Sequence, residues 1–323
     1  MALSRTKQVN EVPSEYRYAN WQRKFAPYFF IAPFFILYII FSFFPNIFSF
    51  YISLTRWNPL DGLRGIQFVG FDNYRYLIQD DTFFQTSLVN SAILGILGGI
   101  PQHLVALPLA YLLNNSLKRL KGFLSALYFA PFITSIAAIS VVFGLLFSER
   151  NGLFNWALLQ LHQLPIIGGL FPDAGINWLG RSFWIKPSVA LVIFWRYTGW
   201  NTILYLAAMQ AIPVELFEAA AIDGANRWQQ FRHITLPLVR PMAFYAVTLT
   251  IIGSMQLFLE PFTLVGQDGG ANNAGRTTMM YLFKTAFTDL DFGLAAAISW
   301  VLFAIIIVLT IINNRIFRGG KAD

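Results

Sequence analysis

The sequence has no cysteine, only three histidines among 323 residues, and few charges, 12% in all. Each shortage excludes something. Without cysteine there is no disulfide, no thiol nucleophile and no thiolate metal ligand. His103, His162 and His233 stand far apart, at no ligand spacing, so no metal site is expected. No Ser–His–Asp set and no carboxylate dyad is recognisable, so a membrane enzyme would lack its catalytic cluster. A phosphate-binding loop needs G-x4-G-K-[ST]. The only lysine followed by Ser or Thr is Lys284, and Thr278 and Phe283 stand where the glycines belong. Any ATP chemistry must therefore come from another chain.

What is abundant is apolar. Hydrophobic residues make up 56% of the chain and phenylalanine alone accounts for 33 positions. The charges lie between long apolar runs, which identifies an all-α polytopic membrane protein. A span needs roughly 20 apolar residues to cross about 30 Å of hydrocarbon. Six runs qualify: 27–53, 83–113, 123–147, 187–211, 238–262 and 292–316. Prolines and glycines inside them are tolerated where neighbouring helices satisfy the freed backbone groups. The first run is too long for a signal peptide and no Ala-x-Ala site follows it, so it is expected to stay. Neither a low-complexity segment nor an internal repeat nor a second soluble domain is expected.

Lysine and arginine set the orientation. One set of loops carries Arg5, Lys7, Arg17, Arg23 and Lys24, then Lys118, Arg119 and Lys121, then Arg227, Arg232 and Arg240, then Arg315, Arg318 and Lys321. The other set (54–82, 148–186 and 263–291) is longer, holds fewer basic residues, and offsets them with acids from Asp61 to Asp291. Both termini are therefore expected in the cytoplasm. The longer loops are rich in Gly, Pro and Trp and are expected to hold short interfacial helices. The chain then divides into a cytoplasmic tail (1–26), a first transmembrane helix with its outer loop (27–82), a five-helix core (83–316) and a short cytoplasmic tail (317–323).

One cytoplasmic loop, 213–241, is unusual. Pro213 suits the first turn of a helix, where its missing N–H costs little. Val214 to Asp223 carries Glu215, Glu218 and an alanine run. Gly224 can take the left-handed turn that ends a helix. A second helix is expected from Asn226 to His233, with Pro237 and Pro241 marking entry to the fifth span. Taken alone, such a segment also fits an amphipathic helix lying on lipid headgroups. Its spacing adds more: Glu218-Ala219-Ala220, three residues, Gly224, nine residues, Ile234, one residue, Leu236-Pro237.

That spacing matches every fixed position of EAA-x3-G-x9-I-x-LP, the EAA motif of the membrane subunits of binding-protein-dependent ABC importers. The flanks "AIPVELFEAAAIDGANRWQQFRHITLPLVRP", "INWLG" (176–180), "TAFTDLDFGLAAAISWVLF" (285–303) and "APFFILYIIFSFFP" resemble the carbohydrate-uptake branch, of maltose and glycerol-phosphate type. The resemblance runs from about Pro27 to Phe317. The chain lacks the extra N-terminal spans and large outer domain of the maltose-system protein.

The resemblance implies a type I importer permease fold with six transmembrane helices, in a bacterial or archaeal plasma (inner) membrane. It implies that the EAA loop is a coupling helix docking in a cytoplasmic ATPase. Glu215, Glu218, Ala219, Ala220, Asp223 and Gly224 would form the docking surface, while Ile234, Leu236 and Pro237 fix the loop to the fifth span. Implied partners are two ATPase subunits carrying ATP and Mg, a second homologous permease that this branch usually supplies as a different chain, an extracytoplasmic substrate-binding protein and a carbohydrate. The chain itself would hold no cofactor and bind no nucleic acid.

Substrate is expected between the permeases at mid-membrane. The fourth span offers Trp195, Arg196, Tyr197, Trp200 and Asn201, and the fifth offers Ser254, Gln256, Phe258 and Glu260. Aromatic rings stack on sugar faces and amides bond hydroxyls. Arg196 is either functional or neutralised by snorkelling or by a helix-end carbonyl. Glu260 is either an outer gate residue or a solvated helix end. Trp178 and Trp184 suit interface anchors. Gly95, Gly98 and Gly99 suit close helix packing. An ion-coupled secondary transporter is the rival reading, and needs paired intramembrane carboxylates. An ABC permease for another solute class is the nearer one.

Overall fold

The computed structural model describes residues 14–115, 120–165 and 167–318, and side chains from 24 to 317 within those ranges. Arg5, Lys7, Lys118, Arg119 and Lys321 lie outside the described residues, as do 1–13 of the first expected tail and 319–323 of the last.

The chain forms two units, 1–52 and 53–323. The first is one apolar helix: α1 (Ser14–Tyr38), a π turn (Ile39–Phe43) and α2 (Phe44–Ser53), which extends into the second unit by one residue. Phe29 and Phe30 are four-fifths exposed, as suits side chains that face hydrocarbon. The second unit opens with a short antiparallel ribbon, β1 (Thr55–Arg56) on β2 (Gln67–Phe68). Then come α3 (Asp72–Gln79), α4 (Thr82–Asn115), α5 (Lys121–Ile133), α6 (Ile136–Leu146), α7 (Leu153–His162) and α8 (Ser182–Gln210). The chain continues through α9 (Val214–Ile222), α10 (Arg227–Gln230), α11 (Leu236–Met255), α12 (Leu259–Val265), α13 (Thr278–Phe287) and α14 (Phe292–Arg318).

Among the described residues four helices are long and apolar enough to cross a membrane, and up to six spans result if two bent pairs each count as one. The third span is such a pair. Its helices α5 and α6 meet at 95°, because Thr134 and Ser135 are extended. The span expected over 123–147 is thus built from two helices. The fifth also differs. Its helix runs from Arg227 to Met255 through a π turn at Phe231–Thr235, and ends before Gln256. Leu236 N bonds back five residues to Phe231 O, so the extra residue is absorbed without interrupting the helix. Pro237 stands in the first turn of α11, directly after the π turn, and Pro241 one turn further on. Gln256, Phe258 and Glu260 consequently fall beyond the span.

The core of the second unit lies where α4, α8 and α11 meet. Ala106, Ala110 and Leu113 pack on Tyr205, Leu206 and Met209 and on Val239 and Ala246. Small residues permit this approach, as expected. A Cβ on Gly98 would stand 2.8 Å from Ile193 Cγ2, and one on Gly95 2.7 Å from Ser254 Oγ. Gly199 lies against the Tyr128 carbonyl, bringing α8 onto α5.

Two of the connecting segments are pinned by single polar side chains. Asn155, 2% exposed, donates through Nδ2 to the carbonyls of Ser148, Glu149 and Ile176 and accepts at Oδ1 from Ile176 N and Trp178 Nε1. Asp81 caps α4 by accepting from Phe84 N, and accepts from Tyr281 OH of α13 at 2.6 Å.

Candidate functional site

The loop between α8 and α11 is a helix, a glycine turn and a second helix. α9 leaves α8 at 71°. It ends because Gly224 adopts φ +81°, which lets Ala225 N reach Ala220 O at 2.8 Å and Gly224 N reach Ala221 O at 3.1 Å. The next helix starts on a capping box: Gln229 N donates to Asn226 Oδ1 at 2.9 Å and Asn226 N to Gln229 Oε1 at 2.7 Å.

Around that turn, Ala220, Asp223, Gly224 and Ile234 line a shallow recess of about 310 Å³, with Gln229, Gln230 and His233. Glu215, Glu218 and Ala219 are exposed on α9, and Leu236 and Pro237 are exposed where α11 begins. No residue of α9 is buried. Ile222 is 87% exposed. A second span supports the loop from behind, as Tyr111 of α4 donates its hydroxyl to Arg227 O at 3.0 Å and packs on Phe231 at 4.8 Å. Its role was not legible in sequence, since nothing marks which span the loop touches.

A second candidate site lies between α4, α5, α8 and α11, a cavity of about 260 Å³. Tyr197, Trp200 and Asn201 line it, together with Phe132, Gln102, Thr250 and Ser254. Trp200 stacks on Phe132 at 4.5 Å, with their planes 19° apart. Gln102 and Asn201 are both buried. Thr250 Oγ1 accepts from Gln102 Nε2 and also lies 3.0 Å from His103 Nε2, whose other nitrogen lies 2.8 Å from Tyr205 OH. Gln102, His103 and Thr250 were not foreseen as a group. Gln102 and His103 are neighbours on α4, but Thr250 stands on α11, and nothing in the sequence marks that pairing.

The other expected residues are divided. Arg196 Nη1 donates to Glu260 Oε1 at 2.8 Å and to Tyr197 OH at 3.0 Å, and Nη2 lies 3.5 Å from Phe132 O. Arg196 is thus neutralised by Glu260 and also reaches a carbonyl near the end of α5, and Glu260, only 4% exposed, is no solvated helix end. Trp195 packs on Phe143 at 5.3 Å and does not line the cavity. Gln256 is exposed, and Phe258 stacks on Phe262 and packs at a tilt on Phe283. Trp178 and Trp184 pack on each other, 5.1 Å apart. Among the described residues no cluster of His, Asp and Glu could hold a metal ion.

Known proteins share this architecture. The arabinooligosaccharides transport system permease protein AraP of Bacillus subtilis (strain 168) is 33% identical over 325 residues, covering 99% of this chain and 98% of that one. The lactose transport system permease protein LacF of Rhizobium radiobacter is 32% identical, over 90% of this chain and 94% of that one. A crystal structure of a bacterial alginate ABC transporter, in complex with an alginate pentasaccharide-bound periplasmic protein, contains a chain of the same fold. It superposes with a TM-score of 0.76 at 21% identity, over 93% of this chain and 96% of that one. The model of binding-protein-dependent transport system inner membrane components matches residues 103–319, and the chain belongs to that family.

Proposed function

We propose that this chain is the permease subunit of an ATP-driven sugar importer, and that it forms half of the translocation pathway. The exposed helix–glycine–helix loop carries the reading, because Ala220, Asp223, Gly224 and Ile234 line one recess at the foot of α11 and Glu215, Glu218 and Ala219 stand exposed on the helix beside it. A rigid short helix transmits force, whereas a slack loop does not. Glu215, Glu218, Ala219, Ala220, Asp223 and Gly224 form the docking surface for an ATPase, and Ile234, Leu236 and Pro237 join it to α11. ATP and Mg are bound by that partner and hydrolysed there. Two ATPase copies, a second permease chain and an extracytoplasmic binding protein complete the assembly.

Carbohydrate is favoured because relatives alignable over nearly the whole chain are named for arabinooligosaccharides and lactose. The cavity supports it with stacked rings and neutral amides. Tyr197, Trp200 and Asn201 line the pathway, and Arg196 with Glu260 braces it. The basic loops, and so the docking surface and both termini, face the cytoplasm of a bacterial or archaeal cell. Ion coupling is disfavoured, since Glu260 already neutralises Arg196.

The test is to tag the chain, extract it gently from native membranes and identify by mass what co-purifies, then to measure uptake in proteoliposomes. Two ATPase copies, a six-span partner and uptake that requires ATP are expected. A lone homo-oligomer whose uptake follows an ion gradient without ATP would overturn the proposal.

A further inference from the structure

We infer that this chain's cavity is built for an uncharged sugar and against anionic ones, uronates and sugar phosphates included; this rests on the transport reading above. None of the residues lining the cavity is charged. The arginine behind its wall, Arg196, has its charge cancelled by Glu260 at 2.8 Å, and its guanidinium lies against Phe132 and Tyr197, whose rings form that wall. An anion entering here would shed its water and meet no counter-charge, which neutral hydrogen bonds do not repay.

The polar groups present suit hydroxyls. Gln102 gives Nε2 to Thr250 and leaves its Oε1 buried without a hydrogen-bond partner. A lone acceptor needs a donor. A sugar hydroxyl brings a proton, whereas a carboxylate or phosphate oxygen brings only lone pairs. The stacked Trp200 and Phe132 offer apolar area for the C–H face of a sugar ring.

The absence of cysteine makes the test direct. Gly253 lines the cavity, and a Cβ there would meet nothing within 4 Å. Gly253→Cys therefore places the only thiol of this chain at the site, and Ser254→Cys provides a second position. Each variant is assembled with its ATPases, second permease and binding protein in neutral-lipid nanodiscs. The rate of maleimide labelling on this chain is read by mass, with glucose, maltose, glucuronate or glucose 6-phosphate at equal concentration and ionic strength. A neutral sugar is expected to slow labelling by about fivefold at about four times its dissociation constant, and the two anions are expected to leave it unchanged. Adding Glu260→Gln unmasks Arg196, and glucuronate should then protect. Protection by the anions equal to that by the neutral sugars would overturn the inference, as would protection by neither neutral sugar at either position. Glucuronate protection unmoved by Glu260→Gln would overturn the screening assigned to the ion pair. Loss of ATP-driven uptake in the parent complex falls on the transport reading; ATP-driven uptake with anion protection falls on this inference alone.

Discussion

Arg196 of α8 and Glu260 of α12 meet at 2.8 Å, across the break that follows α11, and both side chains are largely buried. Removing one partner of such a pair strands the other charge, at a cost of about 3–5 kcal/mol. Arg196→Met and Glu260→Met are each expected to lower the fraction of complex that survives heating as a monodisperse peak. The double variant should recover most of that loss, because no buried charge remains. A double variant no better than its singles would contradict this.

Gly224 holds φ +81° with nothing within 4 Å of a Cβ. Space is therefore not the constraint; backbone conformation is. Gly224→Val is expected to insert and assemble normally in the membrane but to lose most sugar uptake, read as transport in proteoliposomes. The local strain is about 1–2 kcal/mol, enough to re-aim α9 without unfolding the spans. Normal uptake by this variant would count heavily against the docking role of the turn.

Tyr111 bonds the carbonyl of Arg227 while its ring packs on Phe231. Tyr111→Phe removes the bond, about 0.5–1.5 kcal/mol, and keeps the ring. The expected result is more ATP hydrolysed per sugar moved, with unchanged abundance. An unchanged ratio would mean that α4 merely supports the loop.

Gly199 touches the Tyr128 carbonyl, where backbone cannot give way cheaply. Gly199→Ala should push α5 from α8 and cost about 1–3 kcal/mol, read as a lower yield of assembled complex. Gly122, with open space around it, is the control: Gly122→Ala should be silent.

Burial, and then the hydrogen bond to Asp81, pushes the Tyr281 phenol well above its ordinary 10.0. The folded chain thus keeps a proton that the unfolded chain releases. The resulting stabilisation is complete below pH 10 and is lost as pH rises beyond it. Melting temperature should fall more steeply above about pH 10 in the parent than in Tyr281→Phe. Parallel curves would show that the pair carries no such linkage.

The coupling loop was legible in detail because its requirements are local. A glycine for positive φ and small residues at Ala219 and Ala220 lie within a few positions of one another, whereas the capping box at Asn226 emerged only from the structure. The spans were legible as apolar runs, but hydropathy averaged over a window does not register a broken backbone. The break at Thr134–Ser135 and the exit after Met255 are as apolar in their surroundings as an intact helix, so 123–147 and 238–262 each read as one run. Partnerships across the bundle were not legible either. Arg196 was conspicuous and Glu260 was conspicuous, yet the pairing of residues 64 positions apart is a property of packing. Gln102 and Thr250 carried no signal alone; their meaning comes from sharing a wall.

The continuous helix from Arg227 to Met255 has one more consequence. At 1.5 Å per residue it is a rod about 43 Å long, with the recess at its foot and Thr250, Gly253 and Ser254 near its head. A rod that long converts angle into distance: a tilt of about 5° about its foot carries the head sideways by about 4 Å, more than the diameter of a water molecule. Leverage of this kind needs no signal passed from residue to residue. Socket and cavity wall are two ends of one stiff body, so the foot cannot be turned without moving the wall.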